Sequence, residues 1–231
     1  MNAKICVVIP ALNEIQSLAD NIRSLLSSES VAKVIVVDGG STDGTWDMLV
    51  ELETSVAASR LEIFQGARGR AQQMNYGAVH ADADWILFHH ADSRLPSSGL
   101  RAIAALSEEI QWGGFSHRFS PNNWKLSLVS WLHNFRCRRS GVVYGDQSMF
   151  VRTRLFQQLG GFREDTIEDL DFSDRALAVS PSVLLSQKVD TDARKFTQIG
   201  EFRALLQVVS IVWRYEKQRP VGHEAFFEPY R

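Results

Sequence analysis

The feature that most constrains the fold of this chain is an alternation, through its first half, between short apolar runs and segments of helical periodicity. Four of the apolar runs are rich in β-branched or aromatic residues, a composition typical of strands buried on both faces. These runs are Lys4–Ile9, Lys33–Val37, Leu61–Gln65 and Trp85–His89. Strands that alternate with helices favour a parallel sheet with right-handed crossovers. The sequence therefore predicts an α/β fold, a Rossmann-like open and mostly parallel sheet with helices on both faces.

Helices are predicted between these strands. In the first, Ile15 and the apolar residues of 18–26 fall on one face, and Asn13 is placed to cap the helix. Three more predicted helices cover Thr45–Glu53, Arg70–His80 and Pro96–Ile110, the last with proline at its N-terminus.

The second half of the chain has a different pattern. The elements predicted there are a strand at Trp112–Phe119, a helix at Trp124–Arg139, a helix at Glu168–Ala178 and a strand at Val183–Val189. No repeat or flexible linker interrupts the 231 residues, so we expect one domain. Its expected parts are a nucleotide-binding half at 1–95, an acceptor and catalytic half at 96–198 and a helical tail at 199–231.

Composition argues against several classes of protein. With 25 basic and 27 acidic side chains the formal net charge is −2, so a general electrostatic attraction to nucleic acid is not expected. Two cysteines, Cys6 and Cys137, are too few for a disulfide framework. We recognise neither a signal peptide nor an apolar run long enough to cross a membrane, and we therefore expect a cytoplasmic protein.

Polar and glycine-rich residues follow the first two strands, at the sheet edge where ligands of open α/β sheets bind. Pro10, Asn13 and Glu14 follow the first strand, and Asp38 and Gly39 follow the second. Glycines let the backbone approach a ligand, and Asp38 is placed to accept hydrogen bonds from a base or a ribose. The alternative is that these residues only shape tight turns between strand and helix.

Carboxylates and histidines stand at two later positions. His90 and Asp92 follow the fourth strand, where a carboxylate suits a hard cation that also binds diphosphate oxygens. The alternative is a helix cap beside hydrogen-bonded histidines. Glu168 and Asp169 begin a later helix, where they suit either a general base or favourable charges at a helix N-terminus.

Several common catalytic motifs are absent from the sequence. Neither GxGxxG after the first strand nor the P-loop pattern GxxxxGK[ST] occurs, and GxSxG and CxxC are missing as well. These absences argue against dinucleotide-dependent redox chemistry, P-loop chemistry, serine hydrolysis and structural zinc.

Taken in order, the motifs of the chain resemble those of the family 2 glycosyltransferases of the GT-A fold. The matching segments are VVIPALNE (Val7–Glu14), VIVVDGGSTDGT (Val34–Thr45), ARGRAQQMNYGA (Ala67–Ala78), ILFHHADSRLP (Ile86–Pro96) and LGGF with EDLDFSDRAL (Leu159–Phe162, Glu168–Leu177). The match covers roughly residues 4–178. HADSRLP, YGDQSMFVR and DARKF are similar to a bacterial subgroup called selenodomain-associated transferase 2.

The resemblance implies transfer of a sugar from a nucleotide-sugar donor, preferably UDP-linked, to an unidentified hydroxyl acceptor, with inversion at the anomeric carbon. The nucleotide-binding residues that it implies are Pro10, Asn13, Glu14, Asp38, Gly39, Gly69, Arg70, Asn75 and Ala91. Asp169, beside Glu168, would be the general base. Asp92, with His90, would hold Mg²⁺ or Mn²⁺, which would stabilise the departing diphosphate. This hypothesis expects Asp38, Asp92 and Asp169 to share one pocket.

Two departures from the family pattern change the expectations. The DxD motif reads His90-Ala91-Asp92, so its first carboxylate is missing; weaker metal binding is expected, with histidine favouring Mn²⁺. The QxxRW motif of processive members is absent, and Arg194 is its nearest counterpart, either a phosphate ligand or a surface charge. Polymer synthesis is therefore not expected.

Other functions and partners stay open from the sequence. A nucleotidyltransferase uses a similar sheet but usually carries a glycine-rich basic loop after the first strand, and the incomplete DxD motif also suits a non-catalytic nucleotide-sugar-binding protein. The acceptor is a small molecule or a lipid. The apolar face and basic end of the helix at 124–139 suit peripheral contact with an anionic membrane; packing on the sheet and a homodimer contact are the alternatives.

Overall fold

The structure, a computed structural model, describes residues 3–55 and 60–193. Its elements are β1 Ile5–Ala11, α1 Leu18–Leu26, β2 Val31–Asp38, α2 Thr45–Ser55, β3 Leu61–Gln65, α3 Arg70–Val79, β4 Trp85–Phe88, β5 Ser93–Arg94, α4 Ser97–Ala104, β6 Trp112–Ser120, α5 Trp124–Ser140, a 3₁₀ turn Gly145–Gln147, β7 Phe150–Arg152, α6 Thr153–Gln158, α7 Glu168–Leu177 and β8 Val183–Asp192. The tail predicted at 199–231 and Arg194 lie outside the described residues.

The eight strands form one sheet in the order β3-β2-β1-β4-β7-β6-β8-β5. The first four strands along the chain, β1 to β4, run parallel to one another, as predicted. β7 lies antiparallel between β4 and β6, β8 runs parallel to β6, and the short β5 pairs antiparallel with β8. The turns that follow β1, β2 and β4 therefore meet at one edge of the sheet.

Helices cover both faces of the sheet. Apolar side chains of α1, α2 and α4 form a core with one face, and those of α3, α6 and α7 form a core with the other. Alternate residues of β1 serve the two cores, because Val7 and Ile9 point to the first and Val8 to the second. All three are fully buried. This burial on both sides explains why β1 is apolar at successive positions, and the predicted fold class is confirmed.

The first helix begins later than predicted. α1 starts at Leu18 behind Ser17, so the assignment of Asn13 as its cap is wrong. Asn13 instead has a positive φ of 57°, and its Oδ1 accepts a 2.8 Å hydrogen bond from the N–H of Thr42. Ile15, predicted on the buried face, precedes the helix and is 41% exposed. The segment between β1 and α1 is therefore a loop that joins the turn after β2.

The helix predicted at Pro96–Ile110 ends early, at Ala104. The segment that follows is held by a distant residue: the guanidinium of Arg152 donates to the carbonyls of Ser107 and Ile110, at 3.1 and 3.3 Å. The chain between α4 and β6 is therefore fixed by a side chain of β7. Among the helices of the described ranges, none is both long and apolar enough to cross a membrane.

Candidate active site

The loops after β1 and β2 are joined by hydrogen bonds into one surface. The N–H of Asn13 donates to the Ser41 hydroxyl at 2.8 Å, and the N–H of Glu14 donates to the Thr45 hydroxyl at 2.9 Å. Pro10, predicted just after the first strand, lies inside β1 and pairs in register with Val37 of β2. The three residues predicted for the nucleotide after β1 therefore lie beside those predicted after β2.

The Asp38 carboxylate shapes its own turn. Asp38 is 1% exposed, and its Oδ2 accepts hydrogen bonds from the N–H groups of Gly40 and Ser41, both at 3.0 Å. Its Oδ1 accepts the Ser41 hydroxyl. To bind a base or a ribose, Asp38 would have to exchange the Ser41 hydroxyl for the ligand. The turn-shaping role that the sequence left open as an alternative is therefore present.

A buried glutamine that the sequence analysis missed connects these loops to α3. The Gln73 amide donates to the carbonyls of Ala11 and Val37, at 2.9 and 2.7 Å, and the side chain is 2% exposed. A Cβ at Gly39 would lie 3.1 Å from this amide, so Gly39 leaves room for Gln73. No local signal in the sequence indicated this role, because the contacts of Gln73 are with residues 36 and 62 positions away.

Two other residues predicted near the nucleotide lie on α3 and serve its local structure. Gly69 caps the helix with a φ of 144°, which favours glycine. The Asn75 amide donates to the carbonyl of Phe162 and its Oδ1 accepts the N–H of the same residue, both at 2.8 Å. Asn75 therefore holds the turn before α7 against α3, which brings the first turns of the two helices together.

Arg70, at the start of α3, connects the loop after β4 to α7. Its Nε lies 3.3 Å from a Glu168 carboxylate oxygen, and its Nη2 lies 2.6 Å from Nε2 of His90. Because a guanidinium only donates hydrogen bonds, Nε2 of His90 accepts here. Burial and the adjacent Arg70 charge hold the pKa of His90 well below its usual range. His90 is therefore neutral, and binding a metal through Nε2 would require Arg70 to move.

Asp169 faces the same space from the first turn of α7. Its Oδ2 accepts a 2.8 Å hydrogen bond from the N–H of Gly145, and Oδ1 accepts the N–H of Leu170 at 2.8 Å. Burial and the neighbouring Glu168 charge raise the pKa of Asp169 to about 6. A carboxyl group with a pKa near neutrality in a partly buried site has the properties of a general base.

A cavity unites part of the predicted site. Its walls are formed by Arg70, Met74, Phe88, His90, Gly145, Met149, Phe162 and Asp169. Asp38 and Asp92 are not among these walls, so the expectation of one pocket lined by Asp38, Asp92 and Asp169 is not met. Asp38 is enclosed by its own turn, and Asp92 lies at the start of β5 beside the cavity.

Asp92 faces a second carboxylate. Ser93 of β5 pairs antiparallel with Thr191 of β8, so Asp92, in the turn before β5, lies near Asp192 at the end of β8. Burial, and then the Asp192 charge, raise the pKa of Asp92. Ala91, predicted near the nucleotide, is 5% exposed, and its carbonyl accepts the Asn21 amide at 3.2 Å.

Asp92 and Asp192 could together hold a divalent cation. Two carboxylates held close together repel each other, and a hard cation with oxygen ligands relieves this repulsion. Asp192 is not among the predicted site residues; its signal in the sequence was an acidic residue just beyond a predicted strand. In the described part of the chain no three histidine, cysteine or acidic side chains are grouped to hold a metal ion.

The histidine beside His90 has a structural role. His89 is fully buried; its Nδ1 lies 2.8 Å from the Ser148 hydroxyl and its Nε2 lies 3.0 Å from the Ser93 carbonyl. Because the carbonyl only accepts, Nε2 carries the proton and Nδ1 accepts from Ser148. Burial lowers the pKa of His89 to about 4, so the ring is neutral. It fixes the loop after β4 on which His90 and Asp92 lie.

The chain matches a family of known proteins. The family model for glycosyl transferase family 2 matches residues 6–160. Among solved structures, the mannosyltransferase PcManGT from Pyrobaculum calidifontis, in complex with GDP-Man and Mn²⁺, is similar with a TM-score of 0.64 and 18% identity. That match covers 82% of this chain and 57% of the mannosyltransferase.

Two further structures show the same likeness. TarS from S. aureus (residues 1–349), in complex with UDP-GlcNAc, has a TM-score of 0.64 and 21% identity over 82% of this chain and 58% of that one. GalNAc-T7, with UDP, GalNAc and Mn²⁺, has a TM-score of 0.65 and 12% identity over 83% and 44%. The chain thus spans less than two thirds of each of these proteins. The likeness confirms the predicted GT-A fold. Because the family model covers more than half of its length, the chain belongs to glycosyl transferase family 2.

Proposed function

We propose that this protein is an inverting, metal-dependent glycosyltransferase that moves a sugar from a nucleotide-sugar donor, UDP-linked by preference, to a hydroxyl acceptor. The observation that carries the proposal is the placement of Asp169 in one cavity with Arg70 and His90, at the sheet edge where ligands of open α/β sheets bind. Membership of the family and the GDP-Man and UDP-GlcNAc complexes of the similar structures support a nucleotide-sugar donor.

Asp169 would act as the general base. Its carboxylate would take the proton of the acceptor hydroxyl while that oxygen attacks the anomeric carbon from the face opposite the nucleotide. A carbon–oxygen bond to the acceptor forms, and the bond to the diphosphate oxygen breaks, so the configuration inverts. The N–H of Gly145 orients the carboxylate through Oδ2. Because the pKa of Asp169 is about 6, the group is ionised at neutral pH yet remains basic enough to accept the proton.

A divalent ion, Mg²⁺ or Mn²⁺, would be held by Asp92 and the facing Asp192. Such an ion supplies positive charge that stabilises the diphosphate as it leaves. Two carboxylates do not complete an octahedral shell, so donor oxygens and water would supply the other ligands. Arg70 supplies a further positive charge, which partly offsets the rise in the pKa of Asp92.

The nucleoside would lie over the loops after β1 and β2. These loops present Pro10, Asn13 and Glu14 next to Asp38 and Gly39, and the Gln73 amide fixes their spacing. Exchange of the Ser41 hydroxyl for a ligand group would let Asp38 recognise the nucleoside without moving its backbone.

Calorimetry with UDP and Mn²⁺, followed by a donor screen, tests this function. We expect UDP to bind more tightly with Mn²⁺ than without, and we expect release of a nucleoside diphosphate from one nucleotide sugar. Failure of the wild-type chain to bind any nucleoside diphosphate would contradict the proposal. Binding without turnover of any donor and acceptor would favour the non-catalytic alternative, whereas release of pyrophosphate from a nucleoside triphosphate and a sugar phosphate would favour a nucleotidyltransferase.

A further inference from the structure

The outward-facing side of α5 carries an unusual set of large apolar side chains. Five of them are between 43% and 74% exposed: Trp124, Leu128, Trp131, Leu132 and Phe135. Their spacing of mostly three or four residues places them in one stripe along the 17-residue helix. We call these five residues the outer face of α5. Contiguous apolar surface of this kind on a folded domain ordinarily marks an interaction site.

Basic residues flank the outer face at both ends. Lys125 lies near the N-terminus of the helix and Arg138 and Arg139 lie at its end, and all three are exposed. Within Trp124–Ser140 there are four basic side chains and no acidic one, although the whole chain has a net charge of −2. Tryptophan and leucine flanked by lysine and arginine are typical of helices that lie in the surface of an anionic bilayer.

The positive charge of α5 favours an anionic bilayer over the other partners that could cover this surface. A second copy of the chain would bring another basic helix against the first, and like charges would oppose that contact. Residues 194–231, outside the described part of the chain, contain seven basic and four acidic side chains, so they too are net positive. An anionic leaflet complements both the charge and the apolar stripe of the outer face.

The inner side of α5 contacts the loop that holds the proposed base. The His133 ring lies 5.0 Å from the Tyr144 ring, and Arg136 lies 4.7 Å over the same ring. Tyr144 precedes Gly145, whose N–H donates to Asp169 at 2.8 Å. One helix therefore separates the outer face from the cavity that contains Asp169.

We propose that the outer face of α5 docks this protein on an anionic membrane surface. Resting on the transferase function proposed above, this docking would bring the cavity close to an acceptor hydroxyl carried by a lipid. The docking would depend on insertion of the apolar side chains and on attraction of the basic side chains to anionic headgroups. Each contribution can be tested by substituting those side chains separately.

Flotation of the full chain with vesicles tests the proposal. We expect the chain to float with vesicles that contain phosphatidylglycerol and not with pure phosphatidylcholine, and binding should weaken as salt screens the headgroups. A variant with Trp131→Ser and Phe135→Ser should lose about tenfold or more in partitioning. Lys125→Gln and Arg139→Gln should each lose about fivefold.

Matched controls come from other surfaces of the molecule. Val79 on α3 is 81% exposed, so Val79→Ser removes an exposed apolar side chain at a different surface. Arg154→Gln removes the charge of an exposed arginine outside α5. Both should bind vesicles like the wild type. Melting temperature and far-ultraviolet circular dichroism of the α5 variants should match the wild type, because the substituted side chains are exposed.

Three outcomes would overturn the docking proposal. They are failure of the wild type to float with anionic vesicles, equal losses in the control variants, and a dimer in light scattering that the Trp131 and Phe135 changes dissociate while vesicles remain unbound. UDP binding in solution separates this proposal from the transferase function. UDP binding without vesicle binding rejects the docking alone, and vesicle binding without UDP binding rejects the transferase alone.

Discussion

At the scale of single residues, the two acids that begin α7 differ in their surroundings. Glu168 pairs with Arg70 at 3.3 Å, whereas Asp169 accepts the N–H of Gly145 and lines the cavity. Neighbouring carboxyl groups whose environments differ can take separate roles. Glu168 holds Arg70 beside His90, and its charge also raises the pKa of Asp169. In the proposed mechanism, Glu168 would position Arg70 and Asp169 would accept the proton.

Replacement of the proposed base should separate binding from catalysis. We expect Asp169→Asn to lower kcat by about 10² to 10⁴, with little change in UDP affinity, because the amide cannot accept the proton. In the wild type, kcat/KM should rise with pH through about 6 and then level off, since Asp169 is protonated below its pKa. Steady-state kinetics across pH checks both expectations. Asp165→Asn, an exposed acid in the preceding loop, is the control; comparable turnover by Asp169→Asn would remove the assignment.

The facing aspartates predict a specific loss of metal affinity. Asp192→Asn and Asp92→Asn should each weaken binding of Mn²⁺ about tenfold or more in the presence of UDP, because each would remove one charged oxygen ligand. Electron paramagnetic resonance of free Mn²⁺ measures this without any turnover. Asp82→Asn, an exposed acid before β4, should bind Mn²⁺ like the wild type. Unchanged affinity in Asp192→Asn would show that Asp192 is not a ligand.

At the scale of helices and strands, the sequence predicted the elements whose periodicity is local. The strands through Trp85 and the helix that begins at Glu168 lie where the pattern indicated. β7, with only three residues, was missed because so short a run shows no periodicity. The segment after α4 was predicted as helix; it is instead held by Arg152, and a contact across 42 to 45 residues leaves no local trace in the sequence.

In the candidate site, too, the sequence predicted what its local motifs show and missed what depends on long-range contacts. Motif order identified Asp169 and Arg70, and the structure brings them to one cavity. Asp192 was missed because only the pairing of β5 with β8 brings it close to Asp92. Gly145 was missed as a partner of Asp169, because the bond comes from a backbone N–H, which every residue but proline carries. Sequence patterns thus identify side chains, while long-range pairing decides their partners.

At the scale of the whole molecule, buried histidines link stability to pH in opposite directions. Burial lowers the pKa of His89 and of His117 to about 4. Unfolding lets these rings take up protons below their unfolded pKa of about 6.5, so their contribution to stability falls as pH drops from there towards 4. Burial alone would also lower the pKa of His133, but the Asp146 carboxylate, 3.5 Å from its Nε2, outweighs burial and raises the pKa to about 10.

The His133–Asp146 ion pair predicts an alkaline loss of stability. Because the pKa of His133 is raised in the folded chain, its contribution is complete below about pH 6.5 and disappears as pH rises through about 10. The free energy of unfolding of His133→Gln should therefore fall below that of the wild type by about 1 kcal/mol or more at pH 6, and the difference should shrink towards pH 10. Urea unfolding at pH 6, 8 and 10 measures it, with His80→Gln, outside this cluster, as the control. A difference that stays constant across these pH values would show that His133 is not charged in the folded protein, and the stability of the buried cluster would then come from packing alone.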